Sequence, residues 1–222
     1  MKRFKTFSMS LCLTALVFTG LGLNFATAGP GKKSGKALTK CEAMNLKYKP
    51  QVDAFTKAFI AVPIFNAKAA LGNIAQGDIM SAKYKFAALS PDKRRAVWKA
   101  KFDQIDLADY TDSQKAFIDK VVVSLDSTKF DGTDDQDGGK ALLAEAKAIF
   151  KRSELKELFA TLRTNASLMN AKSFETLPCE CASGADDWCN WGDYCQATAA
   201  CIRVFGCGWL MTWYCNGKCK PE

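Results

Sequence analysis

Eight thiols crowd one short stretch of the chain: Cys179, Cys181, Cys189, Cys195, Cys201, Cys207, Cys215 and Cys219, spaced C-x-C-x7-C-x5-C-x5-C-x5-C-x7-C-x3-C. Thiols at this density bind a soft metal as thiolates or oxidise in pairs. Structural zinc sites use cysteine pairs with about two to four intervening residues, often joined by histidine. Only the last pair has that spacing, and the 222-residue chain has no histidine. No metal is therefore expected, and the even set reads as a disulfide framework. Many pairings are open to eight cysteines, and spacing alone does not choose among them. Cys179 and Cys181 are too close to bond one another comfortably, so each is expected to reach elsewhere.

Aromatic residues share the segment. Four of the five tryptophans lie here, Trp188, Trp191, Trp209 and Trp213, with Tyr194, Phe205 and Tyr214. A module of this size buries few such rings, and exposed indole and phenol suit a membrane interface or a sugar- or protein-binding face. The alternative is that they cover the disulfides. Trp188, Trp191, Trp209, Trp213 and Tyr214 are the candidate target contacts. "WLMTWYCNGKC" reads as a β-hairpin with Asn216-Gly217 as its tight turn, which would put Trp209 and Trp213 on one face of a strand. A segment this short has too little core to fold by apolar burial alone. Crosslinks at about 2–4 kcal/mol each would let it stand by itself.

The remaining chain must deliver and position this end. "MKRFKTFSMSLCLTALVFTGLGLNFATA" opens on Lys2, Arg3 and Lys5, continues through an apolar run and closes on Ala26-Thr27-Ala28. That order is a secretory signal peptide over residues 1–28. Leu11 stands where a lipoprotein leader would place a small residue before Cys12, and the apolar run is short and glycine-interrupted for a membrane anchor. Export to an oxidising compartment is consistent with the disulfide reading, and the mature protein is expected to be secreted. Cys41 lies outside the cluster.

Residues 29–177 form a mainly helical region: the Gly- and Lys-rich stretch 29–40 reads as a mobile N-terminus, and the chain reads as helical from Tyr48 to about Met169. Ser90-Pro91 is an N-cap followed by a first-turn proline, and Trp98, Phe102 and Ile105 then recur on one face. Thr111 and Gln114 have capping-box spacing, followed by the stripe Phe117, Ile118, Val121, Val122 and Leu125. "KALLAEAKAIF" and "SELKELFATLRTNASLM" make one long helix or two shorter ones broken near Ser153. No strand is expected before residue 180. The loop "FDGTDDQDGG" lacks the ligands of a calcium loop at two key positions, and Gly138-Gly139 is read as part of a turn before a helix rather than a processing site. Asn165-Ala166-Ser167 reads as helix surface. Helical pattern stops near "NAKSFETLP", so the boundary falls there and residues 178–222 form the disulfide-rich module. The fold class expected is a mainly α N-terminal region followed by a small disulfide-rich module with a β-hairpin.

Charge and chemistry exclude several functions. The formal charge of +8 belongs to the leader and the middle region, because residues 179–222 hold three basic side chains against five acidic ones. The basic residues are interspersed with acids and the chain is exported, so nucleic acid is not an expected partner. Without histidine, a glycine-rich phosphate loop or a nucleophile motif, no enzyme and no cofactor are expected.

The segment Cys179–Cys219 resembles the bacteriocin fulvocin C and its relatives in its "CEC", its evenly spaced middle cysteines, the "GCGW" of Gly206–Trp209 and the closing "WYCNGKC". The "LSPDKRRAVW" and "TDSQKAFI" stretches resemble the precursors of that group. The resemblance implies a secreted antibacterial precursor whose C-terminal module acts on the envelope or membrane of related bacteria, with an immunity protein as a possible partner. In that reading residues 29–177 are a helical propeptide, cleaved between about Ala171 and Cys179. The rival expectation is an intact secreted protein whose cysteine-rich knob binds a polysaccharide or a protease.

Overall fold

The computed structural model describes residues 40–132, 136–162, 179, 181–183, 189, 193–198, 201 and 203–221. The leader, the sequon, residues 133–135 of the calcium-like loop and residues 171–178 of the stretch expected to be cleaved lie outside the described residues, as does the side chain of Cys41. Seven α-helices are described, followed by four short strands: α1 (Lys40–Phe55), α2 (Ala67–Gln76), α3 (Ile79–Ala88), α4 (Pro91–Phe102), α5 (Asp112–Ser124), α6 (Gln136–Ile149), α7 (Arg152–Phe159), β1 (Asp193–Ala197), β2 (Phe205–Cys207), β3 (Trp213–Tyr214) and β4 (Gly217–Pro221). Among the described residues no strand precedes residue 180, as expected. No described helix is long and apolar enough to cross a membrane.

Local chemistry sets the helix ends. Asn66 accepts from Ala69 N, and Asp78 accepts from Met80 N and Ser81 N, so α2 and α3 start on side-chain caps. The Thr111–Gln114 capping box forms: Gln114 Oε1 accepts from Thr111 N at 2.9 Å, and Thr111 Oγ1 accepts from Gln114 N at 3.3 Å. Ser90 occupies the cap position of α4, but its hydroxyl makes no cap bond there, and Pro91 opens the helix. The final helical stretch divides in two, α6 ending at Ile149 and α7 starting at Arg152, where Glu154 accepts from Lys151 N at 2.7 Å. Helix α6 begins at Gln136 and takes in Gly138-Gly139.

The helices close over Phe55, Ile74, Phe86, Val97, Trp98, Val121, Leu125, Phe130 and Phe159, all essentially inaccessible. Their carboxyl ends would leave carbonyls without partners inside this packing, and basic side chains fill the role. Lys93 Nζ donates to Ile60 O, Arg94 to Phe86 O and Ala87 O, and Arg95 to Leu125 O. Lys101 Nζ donates to Glu157 O, Leu158 O and Thr161 O. All four belong to α4, and each reaches the end of a different helix or turn. From α3, Lys85 Nζ donates to Asn73 O near the end of α2.

The Lys101 ammonium is enclosed although part of its stem meets solvent, and burial pushes its pKa down to about 7. Lys101→Met should destabilise the protein by about 1–3 kcal/mol, since three carbonyls lose their donor. The folded pKa lies below the unfolded one, so from about pH 7 up to the ordinary lysine range the unfolded chain binds more protons. Wild type should therefore gain stability over Lys101→Met as pH rises through that window. Urea midpoints of both proteins measured at pH 6, 8 and 9.5 check the sign.

Candidate functional site: the disulfide-bonded module

All eight clustered cysteines are bonded, as Cys179–Cys201, Cys181–Cys195, Cys189–Cys219 and Cys207–Cys215. Cys179 and Cys181 reach different partners, as their closeness requires. The Sγ atoms of Cys181, Cys189 and Cys219 lie within 4.8 Å of one another. Each is committed to a disulfide, so none offers the thiolate that a metal needs. The strands form two antiparallel pairs, β1 with β4 and β2 with β3.

The expected hairpin forms elsewhere than expected. Trp213–Tyr214 pairs backwards with Phe205–Cys207, while Gly217–Pro221 pairs with Asp193–Ala197. The reversal is therefore at 208–212, and Asn216-Gly217 only carries the chain from one sheet to the other. Gly217 answers to space: a Cβ there would stand 2.7 Å from both Cys195 Sγ and Gln196 O. The glycines that shape the reversal are Gly206 (φ 109°) and Gly208 (φ 72°), followed by Leu210 (φ 50°) and Met211 (φ 55°). Two successive non-glycine residues in the left-handed region cost roughly 1–2 kcal/mol each. Burial of both side chains offsets this, with Leu210 0% and Met211 3% exposed.

That turn drives the module into the helices. Phe205, Trp209, Leu210 and Met211 belong to the same continuous core as Phe86, Trp98, Phe117 and Phe159. The Trp209 indole stacks on Phe159 at 4.7 Å between ring centres and meets the edge of Phe117 at 6.5 Å. A Cβ at Gly139 would lie 3.6 Å from its Cδ1, so α5, α6 and α7 all border its seat. Phe205 stacks on Phe86, lies edge-on to Tyr214 and carries the Arg94 guanidinium 4.2 Å above its ring. Burial pulls the Arg94 pKa down to about 10. A second, smaller cluster gathers Cys179, Ala182, Cys201, Val204, Cys207 and Cys215, with Met80, Tyr84 and Trp213 packed against it.

Two expectations are corrected. Trp209 and Trp213 do not share a strand face: Trp209 sits in the left-handed turn at 4% exposure, and Trp213, in β3, is half-buried against the second cluster. The segment expected to stand by itself shares Phe205, Trp209, Leu210 and Met211 with the helical core. Trp209 is thus unavailable to an external surface in this arrangement. Tyr214 is half-buried against Phe205, while Tyr194 is 42% exposed. Trp188 and Trp191 lie outside the described residues. The sequence reading missed Leu210, Met211, Arg94 and Lys83. The "GCG" flanking Cys207 was the available signal for the first two, because paired glycines mark a tight positive-φ reversal. No signal marked the others.

No protein-family model matches the chain, and no curated protein or solved structure does either.

Trp209→Ala should cost about 3–5 kcal/mol through the cavity left among Phe117, Phe159 and Gly139. The loss should appear as lower stability of the helical region itself, read by far-ultraviolet circular dichroism during urea unfolding. A module that folded apart from the helices would leave that transition unmoved.

Proposed function

We propose that the chain is an exported bacteriocin precursor whose disulfide-bonded module is the effector and whose helical region is a propeptide that holds the module's apolar face covered. The carrying observation is the disulfide pattern. All four described disulfides close between Cys179 and Cys219, and none ties the module to the helices. One backbone cut before Cys179 therefore separates a covalently coherent unit, and separation would expose Phe205, Trp209, Leu210 and Met211. Four disulfides also suit an extracytoplasmic, oxidising compartment. The resemblance to the fulvocin C group supplies the target class, the envelope of related bacteria, and an immunity protein as the producer's partner.

The freed face would act at lipid through its apolar side chains, since the module's excess of acidic over basic residues gives little attraction to an anionic surface. Binding of the released module to target-cell lipid vesicles should then change little between low and high salt.

The intact-protein reading, a secreted knob for a polysaccharide or protease, draws on the shared core, which holds the two parts together with no described disulfide between them. Non-reducing intact-mass analysis of culture supernatant separates the two. The precursor reading expects a product of about 44 to 52 residues, beginning between Ala171 and Cys179 and lacking eight hydrogens relative to the thiol form. Finding only the chain from residue 29 onward would overturn it in favour of the intact protein.

A further inference from the structure

Helix α3 directs a lysine at one of the module's disulfides. Lys83 is 7% exposed, and its Nζ lies 3.1 Å from Cys207 Sγ and 3.2 Å from Cys215 Sγ. Both cysteines are buried, at 4% and 0% exposure. The lysine stem passes where Gly206 has no side chain, for a Cβ there would stand 3.3 Å from Lys83 Cγ. The backbone of the "GCG" turn thus admits the cation to the sulfur pair. An ammonium is a donor only. A disulfide sulfur accepts weakly, whereas a thiolate in the same place is a full negative charge within contact of the cation.

We propose that Lys83 is a positioning residue for the Cys207–Cys215 bond: its cation stabilises the thiolates of the opened pair, and so sets how readily that bond exchanges with an external disulfide or thiol when residues 207–215 open locally beside α3. In the oxidising direction, the Cys215 thiolate held by Lys83 attacks a sulfur of the external disulfide and expels one of its thiolates. The Cys207 thiolate then attacks the Cys215 sulfur, forming Cys207–Cys215 and expelling the second thiolate. Two electrons pass from the cysteine pair to the external disulfide, and the thiol protons pass to solvent. The reverse sequence opens the bond with an external dithiol.

Other charged or titratable groups around the pair do not supply this cation. Tyr84, packed on the same cluster, is kept protonated by burial and donates to Asn45 Oδ1. Tyr48, stacked on Tyr84, is pushed up to about 12, first by burial and then by Asp78. Asp78 caps α3 through Met80 N and Ser81 N, and Lys85 is bonded to Asn73 O. Arg203, next to Val204, is exposed.

The bond in question closes the loop that carries Trp209, Leu210 and Met211 into the helical core, so its chemistry is coupled to docking. A module detached from α3 would leave the cation behind. This inference does not depend on the bacteriocin reading, because it concerns the full chain.

The test uses the oxidised full chain with wild-type Lys83 or Lys83→Met, equilibrated in glutathione buffers of graded ratio, acid-quenched, alkylated and mapped by mass spectrometry. A cation that stabilises the thiolates favours the opened pair. Lys83→Met should therefore require at least about a tenfold more reducing buffer to open Cys207–Cys215, matching a shift of one pKa unit or more from a contacting charge. A residue that only packs gives the opposite sign, because loosening the site makes the bond easier to open. An unchanged or less reducing midpoint would overturn the proposal. A second measurement uses Cys207→Ser, which leaves Cys215 as a thiol beside Lys83. Its thiolate absorbance, taken as a difference from the Cys207→Ser/Cys215→Ser protein, should titrate at least about one unit lower with Lys83 than with Met at that position. Equal titrations would also defeat it.

Discussion

The positive charges of α4 hold the helical region to one arrangement. A helix ends in carbonyls that want donors, and a compact bundle of short helices buries many such ends. Lys93, Arg94, Arg95 and Lys101 each meet the end of a different helix or turn, so α4 works as a common clasp. The placement also accounts for the basic excess in the middle of the chain. Much of that charge is spent on backbone oxygens inside the protein, while the surface ion pairs, such as Lys99–Asp126, are exposed and contribute little.

Arg94 joins this clasp to the cysteine-rich end. Its guanidinium bonds to the end of α3 and lies over the Phe205 ring. Tyr214 meets Phe205 edge-on and lies over Gly132, where a Cβ would stand 2.7 Å from the phenol ring. The module is thus attached by apolar insertion and by three cations: Arg94 stacked on Phe205, Lys83 at the Cys207–Cys215 sulfurs, and Arg152, which donates to Cys189 O at 3.4 Å. Its crosslinks act only within it. The two forms of stabilisation are separable in principle: disulfides fix the internal shape of the module, and the aromatic plug fixes where that shape sits.

Much of the helical region could be read from the residues. Thr111 and Gln114 announce α5 because a capping box is a local device, and Trp98 with Phe102 announces the buried side of α4 because periodicity is local too. Helices α2 and α3 are not singled out: "AKAALGNIAQ" and "IMSAKYKFAA" are rich in small residues, and α3 buries Ser81, Lys83 and Lys85 beside Ala82 and Phe86, which breaks the apolar pattern. The disulfide set followed from count and compartment, but the partners of each cysteine depend on which strands pair. Asn216-Gly217 misled for a definite reason: glycine is required there to clear the Cys195 sulfur, and sequence does not distinguish a glycine needed for space from one needed for a turn. Trp209 misled because its seat is built by Phe159, Gly139 and Phe117, 50 to 92 positions earlier. Lys83 left no trace at all, being one lysine among many until the fold brings a disulfide to it.

The order of the chain gives the aromatic plug a consequence in time. Protein synthesis runs from the amino end, and early parts of a chain generally begin to fold before later parts exist. Here residues 205–211 fill the space between helices that were all made before them. Until that stretch emerges, Phe159, Phe117 and Phe86 lack their closing partners, and the helical bundle has an open apolar seam. The last piece laid down is the keystone: the helices complete their apolar core only with a loop that the Cys207–Cys215 bond closes.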